Sequence, residues 1–408
     1  MMMYSELGRI APNLSRRVFV TGYGAVSPLG RDAGTTTEAL RNAKDCVSAV
    51  ESFDVSRSRC QTAGQVPDSW LSDALPSTRQ NNRLHRAGRM LILSVREALA
   101  MAHGCEPELM VISTSAGEMG NGEQFYRTAV HPSRADHRAT LVANYMPQKA
   151  VLDAQSALSL RLPTEIISNA CASGTNSIGH AFELIRAGLA DCVICGGYDP
   201  LAELVFYGFD CLHASTPERI RPFDRGRTGL VLGEGAAVLV LEAEHALTKR
   251  HGVAAAEVLG YGAATDTYHL TQPDPSGVGA RLAMERALRS ARLEPDQISY
   301  INAHGTATPY NDATEGAAIT QLFGRVPVSS TKSAMGHALG AAGAIEAVVC
   351  LLALREQFLP ANLNFREPEP EWAFDIVANK PRVSRLRTAL SNSIGFGGTN
   401  ATIILGAV

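Results

Sequence analysis

Ile166-Ile167-Ser168-Asn169-Ala170-Cys171-Ala172-Ser173-Gly174 is the stretch on which the reading of this chain turns. Its first residues are β-branched and strand-like, a cysteine follows among small neighbours, and a helical pattern begins at once. A strand–turn–helix of this kind presents the thiol at a helix N-terminus, where the macrodipole favours thiolate over thiol. Small flanking residues let a substrate approach the backbone closely. An inert core cysteine fits the same stretch, and the residues alone leave both readings open.

Outward from Cys171 the chain alternates strand-like apolar runs with helical ones, the pattern of an α/β protein. Strands are predicted at Val18–Tyr23, Leu109–Ser113, Glu165–Ser168, Val193–Gly196 and Ala236–Leu241, then at Ala256–Gly260, Tyr300–Ala303, Val328–Ser330, Thr388–Asn392 and Ala401–Leu405. Helical periodicity is clearest at Arg86–His103, Gln148–Leu158, Gly174–Ala187, Gly277–Ala291, Asp312–Phe323 and Gly340–Glu356. The two groups of strands meet within the charged stretch Glu242–Arg250, without a detectable sequence repeat between them. The expected division is a loose leader over residues 1–15, an N-terminal half over 16–250 and a C-terminal half over 251–408. Glu118–Ala143, rich in His, Arg and Asn, reads as an excursion from the sheets, and Pro360–Pro370 as an irregular connection.

Bulk properties exclude several function classes. With 408 residues, 45% of them hydrophobic, the chain has ample material for a large core. A net charge of −3 gives no global argument for nucleic acid or an anionic membrane. The Arg16-Arg17 pair resembles an export signal, but no continuous apolar segment follows it, and no segment is long enough to span a bilayer. Arg79, Arg83, Arg86 and Arg89 recur at helical spacing, which is either a solvated helix face or a docking face for an acidic partner. Eight scattered cysteines fit a reducing cytoplasm better than a disulfide scaffold. Cys192-Val193-Ile194-Cys195 has metal-ligand spacing, yet it sits in an apolar run and reads as a buried strand, so no metal is expected.

Three further loops follow predicted strands: Asn302-Ala303-His304-Gly305-Thr306-Ala307-Thr308-Pro309, Lys332-Ser333-Ala334-Met335-Gly336-His337, and Gly395-Phe396-Gly397-Gly398-Thr399-Asn400. Ligands of open α/β sheets bind outside the carboxyl ends of strands, so one cysteine, two histidines, a lysine and a Gly-rich turn form a coherent candidate site. Gly22-Tyr23-Gly24 lacks the third glycine of a dinucleotide fingerprint, and Gly340-Ala341-Ala342-Gly343 lacks the Lys of a P-loop. A cysteine hydrolase would leave His337 and Lys332 without a role.

These motifs, with Pro222-Phe223-Asp224, Leu232-Gly233-Glu234-Gly235-Ala236 and Asp266-Thr267-Tyr268-His269, resemble the β-ketoacyl-acyl-carrier-protein synthases I and II over nearly the whole chain, from Val18 to Leu405. The resemblance implies a duplicated thiolase fold, layered αβαβα with helical insertions, and a dimer. It implies that Cys171 takes an acyl group from a carrier-protein thioester, with the backbone N–H groups of Cys171 and Phe396 as oxyanion hole. His304 and His337 would then act on malonyl-carrier protein, donating to the thioester oxygen as decarboxylation generates an enolate. Lys332 and Glu346 would orient the histidines and set the local charge. Thr306 and Thr308 would bind the pantetheine arm, and Gly397 and Gly398 would lie at the substrate surface beside the Phe396 gate. No cofactor of its own is implied, since the substrates ride on the phosphopantetheine of acyl carrier protein. The expected partners are that carrier and a second subunit, identical or of the chain-length-factor kind.

Departures from the family pattern bear on the acyl chain. Ala116, in Ser113-Thr114-Ser115-Ala116-Gly117-Glu118, falls where a larger aliphatic residue is common, and it points to a roomier pocket. Cys211-Leu212-His213-Ala214 stands where an Arg is usual, and Ile394 replaces an aromatic residue before the gate. These leave housekeeping fatty-acid synthesis and a specialised polyene or polyketide pathway both open. A non-catalytic chain-length-factor-like subunit is the rival reading, and such subunits typically lack the cysteine.

Overall fold

In the computed structural model, residues 16–72, 81, 84–130 and 139–408 are described. The leader 1–15, Arg79 and Arg83 lie outside them. Eleven strands form one sheet: β1 (Val18–Val26), β2 (Leu109–Ser113), β3 (Thr164–Ile167), β4 (Cys192–Asp199), β5 (Gly235–Ala243), β6 (Ala256–Thr265), β7 (Tyr300–Asn302), β8 (Pro327–Ser329), β9 (Asp375–Ile376), β10 (Thr388–Gly395) and β11 (Thr399–Gly406). Their spatial order is β9-β8-β7-β10-β11-β6-β1-β5-β4-β2-β3.

That order contains the same arrangement twice. Counting from β1, the first five strands lie as third, second, fourth, fifth, first; counting from β6 and omitting the edge strand β9, the remaining five lie identically. The directions match too. β2 runs parallel to β3 and β4, as β7 runs parallel to β8 and β10, and the last two strands of each set are antiparallel. β1 and β6 join the sets in an antiparallel seam, Val18 opposite Val258 and Val20 opposite Ala256. The duplication that the sequence does not repeat is present in the topology.

The helices that order the layers are α1 (Arg86–Met101), α2 (Gln148–Ala157), α3 (Ser173–Arg186), α4 (Glu203–Cys211), α5 (Val278–Ala291), α6 (Pro309–Phe323) and α7 (Ala342–Glu356). α3 and α7 pack on each other and on strands of both sets, forming the middle layer. α1 and α2 cover the outer face of the first set, and α5 and α6 that of the second. β4 and β5 are accordingly buried throughout and read as continuous apolar runs rather than alternating ones. Every residue of α7 from Ala342 to Leu354 is buried and all of them but Glu346 are apolar, as a helix enclosed between two sheets requires. Among the described residues no helix is long and apolar enough to cross a membrane.

Two arginines of the predicted basic face turn inward. Arg86 pairs with buried Glu234 and with Asp68, and Arg89 donates to the backbone carbonyls of Leu84, Leu71 and Asn81. Their charges stitch the chain before α1 to the core, so they offer neither a solvated face nor a docking face. β9 and α4 were not predicted: β9 has two residues, too few for a period, and α4 carries aromatic residues around a central Gly208.

The backbones of α3 and α7 cross where Gly174 meets Gly343. A Cβ on Gly343 would fall 2.6 Å from the Thr175 backbone nitrogen, and one on Gly174 would fall 2.7 Å from that of Ala344. Neither obstacle is a flexible side-chain end. Gly343→Val is therefore expected to cost about 1–3 kcal/mol of stability by overpacking, read as a lowered denaturant midpoint; an unchanged midpoint would show that the crossing is not close-packed.

Candidate active site

Three loops of the site leave the carboxyl ends of parallel strands β3, β7 and β8, and the fourth closes the end of β10. After β3 the chain turns sharply at Ala170, a non-glycine residue with φ of 56°, in the left-handed region. Cross-links hold that strained turn. Ser173 Oγ donates to the Ala170 carbonyl (2.5 Å) and accepts from the Asn169 N–H (2.8 Å), while Ser115 Oγ and Thr399 Oγ1 donate to the carbonyls of Ala170 and Asn169. Cys171 therefore sits immediately before α3, buried, with the Phe396 backbone N–H directed at its sulfur. Gly395 makes this approach possible, because a Cβ there would lie 3.1 Å from the Cys171 nitrogen.

Burial pushes the Cys171 thiol up to about 12, against the charge of Lys332 and the Phe396 N–H, with Asp199 adding to the rise. This corrects the expectation that the helix N-terminus yields a thiolate: desolvation outweighs the favourable field, and the resting group is a thiol. Two imidazoles stand in the same cleft.

His304 follows β7. Its backbone N–H and that of Gly305 each donate to a different oxygen of Glu315 on α6, both at 2.8 Å, and Asn392 Nδ2 donates to the same carboxylate at 3.1 Å. Glu315 is wholly buried, and burial raises it to about 7 even with these donors. The His304 ring meets Lys332, with Nζ 3.3 Å from Nδ1. With the ammonium donating, Nδ1 accepts and the neutral ring carries its proton on Nε2. Lys332 and Glu346 form an ion pair, both fully buried beneath the cleft. Burial lifts Glu346 to about 7, opposed by the lysine charge.

His337 is fixed by its backbone, which donates to Val231 and accepts from Gly233. Its ring stands edge-on to that of His304, centroids 5.2 Å apart at 85°. Neither ring nitrogen of His337 has a hydrogen-bond partner among the described residues. Both imidazoles lie well below the ordinary histidine value, first through burial and then through Lys332. The pair is neutral.

Cys171, His304, His337, Thr306, Thr308 and Phe396 line one cleft, joined by Gly397 and Gly398. Thr306 Oγ1 and Thr308 Oγ1 are 2.9 Å apart. Ile394 and His213, two of the departures from the family pattern, line the same cleft. Ala116 does not; it is buried behind the nucleophile turn, its N–H donating 2.7 Å to Asp199. Lys332 and Glu346 also lie below the lining.

Three residues were not singled out from the sequence. Asp199, at the end of β4, accepts from the N–H groups of Ser115, Ala116 and Gly340 and from Thr114 Oγ1, tying the Ala116 loop to the segment leading into α7. Glu315 orients the His304 loop. Phe209 on α4 stacks on Phe396, centroids 5.4 Å apart at 22°. Only Phe209 has a local signal, the aromatic run Phe206-Tyr207-Gly208-Phe209 just before the departure at Cys211.

A doubled parallel–antiparallel sheet with a buried thiol and two neutral imidazoles at its strand ends defines a condensing enzyme of the thiolase fold. Comparison narrows the class. Residues 15–246 match the family "Beta-ketoacyl synthase, N-terminal domain", and residues 255–366 match its C-terminal domain. The 3-oxoacyl-[acyl-carrier-protein] synthase 2 of Staphylococcus aureus (strain COL) is 34% identical over 412 residues, covering 96% of this chain and 98% of the relative. The solved ishigamide ketosynthase/chain length factor superposes with a TM-score of 0.87 at 31% identity, over 96% of this chain and 99% of that one. A type II polyketide synthase acyl-carrier protein in complex with its ketosynthase bound to the hexaketide gives 0.86 at 27% identity, over 96% and 100%. The chain belongs to the β-ketoacyl synthase family, and it is an acyltransferase-type condensing enzyme.

The sign of the histidine shifts makes a prediction. Folded values below the unfolded ones mean that the unfolded chain binds these protons more readily, so their stabilising contribution is present above the ordinary value of about 6.5 and is lost as pH falls through the folded values. Imidazole ¹⁵N spectra of the folded chain at pH ~6 should show both rings neutral. A protonated ring for either residue at that pH would contradict the assignment.

Proposed function

We propose that Cys171 is the acyl-carrying nucleophile of a decarboxylative Claisen condensation, and that His304 and His337 act on the extender unit. Residues 16–250 are taken as the half that brings the cysteine and 251–408 as the half that brings both histidines. The observation that carries the reading is the neutral, desolvated imidazole pair facing one cleft with the thiol, His337 having no partner at either ring nitrogen among the described residues.

In the first step the Cys171 proton passes to a neighbouring imidazole as sulfur attacks the carrier thioester. The new Cys171 thioester forms, and the carrier thiol leaves with the proton. The N–H groups of Cys171 and Phe396 stabilise the tetrahedral oxyanion. In the second step the malonyl-carrier thioester loses its carboxylate as carbon dioxide, and the electron pair of the broken C–C bond passes to the enolate. Neutral N–H donors of His304 and His337 meet the charge developing on the thioester oxygen, which an imidazolium pair beside Lys332 could do only at a prohibitive desolvation cost. The carbanion attacks the Cys171 thioester, the β-ketoacyl carrier product departs, and the cysteine thiolate regains a proton. Thr306 and Thr308 are assigned to the pantetheine arm and the Phe209–Phe396 stack to the gate.

Acyl carrier protein is the proposed carrier of both substrates, and a second subunit the proposed partner, whether identical or of the chain-length-factor kind; the names of the two solved relatives support these partners. The half-exposed edge strand β3 and the exposed apolar side chains Tyr126, Tyr145 and Leu204 offer surface for such a subunit. All eight cysteines are free thiols, which supports a cytoplasmic setting.

Two experiments test the assignment. Incubation with acyl-carrier protein is expected to add acyl mass to Cys171; Cys171→Ala should lose both loading and condensation by at least about 10³-fold, as loss of a covalent nucleophile does. His304→Ala and His337→Ala should retain measurable loading but lose elongation; full elongation in either would remove that residue from the mechanism. We assign the acyl tail to the apolar cluster of Ala116, Phe206, Leu230 and Leu339 behind the cleft, which Leu230 joins to it; Ala116→Phe should then cut loading of long acyl chains at least ~10-fold, the equivalent of about 1.4 kcal/mol, while sparing acetyl. Equal loading of all lengths would show that Ala116 does not bound the pocket.

A further inference from the structure

Cys105 and Cys192 meet at the end of the sheet opposite the active site. Their sulfurs and a carboxylate oxygen of Glu242 all lie within 4.8 Å of one another. The backbone fixes this meeting. The Glu108 N–H donates to the Cys192 carbonyl at 2.9 Å, and Glu108 Oε1 accepts from the N–H groups of Asp191 and Cys192, so the segment that carries Cys105 is docked on the first residue of β4. Glu242 is not free to hold a metal. Arg250 grips both its oxygens at 2.7 and 2.8 Å, and Thr21 donates to one of them. Arg250 also donates to the His103 carbonyl, which places its guanidinium beside the sulfur pair. Cys105 is half-buried and reachable, whereas Cys192 is buried behind it.

We propose that Cys105 and Cys192 are a reversible dithiol–disulfide pair, a modification site for small-molecule disulfides of the glutathione class that is separate from Cys171. The two sulfurs divide the chemistry. The two thiols perturb each other, and the accessibility of Cys105 beside the Arg250 guanidinium favours the thiolate there, while Cys192, buried behind it, keeps its proton. Cys105 thiolate attacks one sulfur of the disulfide, whose S–S bond breaks, and one small thiolate leaves to take a proton from water. Cys192 then attacks the Cys105 sulfur of the mixed disulfide. Its proton goes to the second departing thiolate. Two protein thiols are oxidised and one small disulfide is reduced to two thiols. Closing the bond needs side-chain rotation to an S–S separation of about 2.05 Å, on a backbone that is already paired.

Position decides the consequence. β4 runs from Cys192 to Asp199, about 23 Å at ~3.3 Å per residue, so the staple closes far from the nucleophile. Cys171, only 6% exposed at the cleft floor and with its thiol raised, is the poorer target for the same reagent. The chain can therefore record an oxidising shift, and gain a covalent tie between β4 and the segment after α1, without spending its acyl-carrying thiol.

The test uses the full chain, reduced and then exposed to glutathione disulfide, with remaining thiols alkylated and peptides mapped by mass spectrometry. The expected result is a Cys105–Cys192 cross-link, Cys171 recovered as a free thiol, an upward shift in Tm, and full reversal by dithiothreitol. Cys192→Ser should instead accumulate a glutathione adduct on Cys105 with no gain in Tm, and Cys105→Ser should show neither. A glutathione adduct on Cys105 in the unaltered chain, or both thiols left unreacted, would overturn the proposal. Protection of both thiols only when zinc(II) is supplied would also overturn it, in favour of a metal site.

Discussion

Lys332 and Glu346 share an ion pair that no solvent reaches, and the remaining electrostatics of the cleft follow from it. An unpaired charge at that depth would not survive, because desolvation would neutralise it. Paired, the lysine keeps an ammonium 3.3 Å from the Nδ1 of His304. That contact fixes the ring's tautomer and repels a second proton from it, and its field reaches His337 and Cys171 as well. The cleft thus combines a thiol, two neutral donors and a cation that touches only one of them. Decarboxylative condensation asks for that distribution: negative charge develops at the enolate oxygen, where N–H groups can meet it without first giving up a proton.

The duplicated topology makes the arrangement possible. Each set of five strands sends its parallel members in one direction, and the α3–α7 layer brings the carboxyl ends of the two sets to one place. The first set contributes the strained turn that carries Cys171. The second contributes two loops carrying imidazoles, with Glu315 and the Lys332–Glu346 pair beneath them. Asp199 and the glycine crossing of α3 with α7 fix the halves to each other. Asp199 spans them directly, since it holds the Ala116 loop of the first set and Gly340 of the second.

Much of this was legible in the sequence, for identifiable reasons. Strands buried on both faces, such as β4 and β5, appear as largely continuous apolar runs, and a strand was legible at every member of the sheet except Asp375–Ile376. Cys171, His304, Lys332, His337 and Phe396 could be singled out because each follows or ends such a run among small or glycine residues. Asp199 and Glu315 could not. Their partners are backbone N–H groups from distant segments, and no local period shows which side chain on a strand end or a polar helix face will lie beneath a loop. Charge state was equally hidden. A helix N-terminus next to a cysteine suggested a thiolate, whereas enclosure by four separate loops makes burial the larger effect. Arg86 and Arg89 misled in the same way, since spacing gives a face but not what packs against it.

The central claim is that the paired neutral imidazoles, and not the cysteine, carry the decarboxylation. Carbon dioxide release from malonyl-acyl-carrier protein measures this directly when condensation is removed. The Cys171→Ala chain should still release carbon dioxide, and adding His337→Ala or His304→Ala to it should reduce that release to the uncatalysed rate. Loss of release with the cysteine alone, or its persistence in both double variants, would contradict the account.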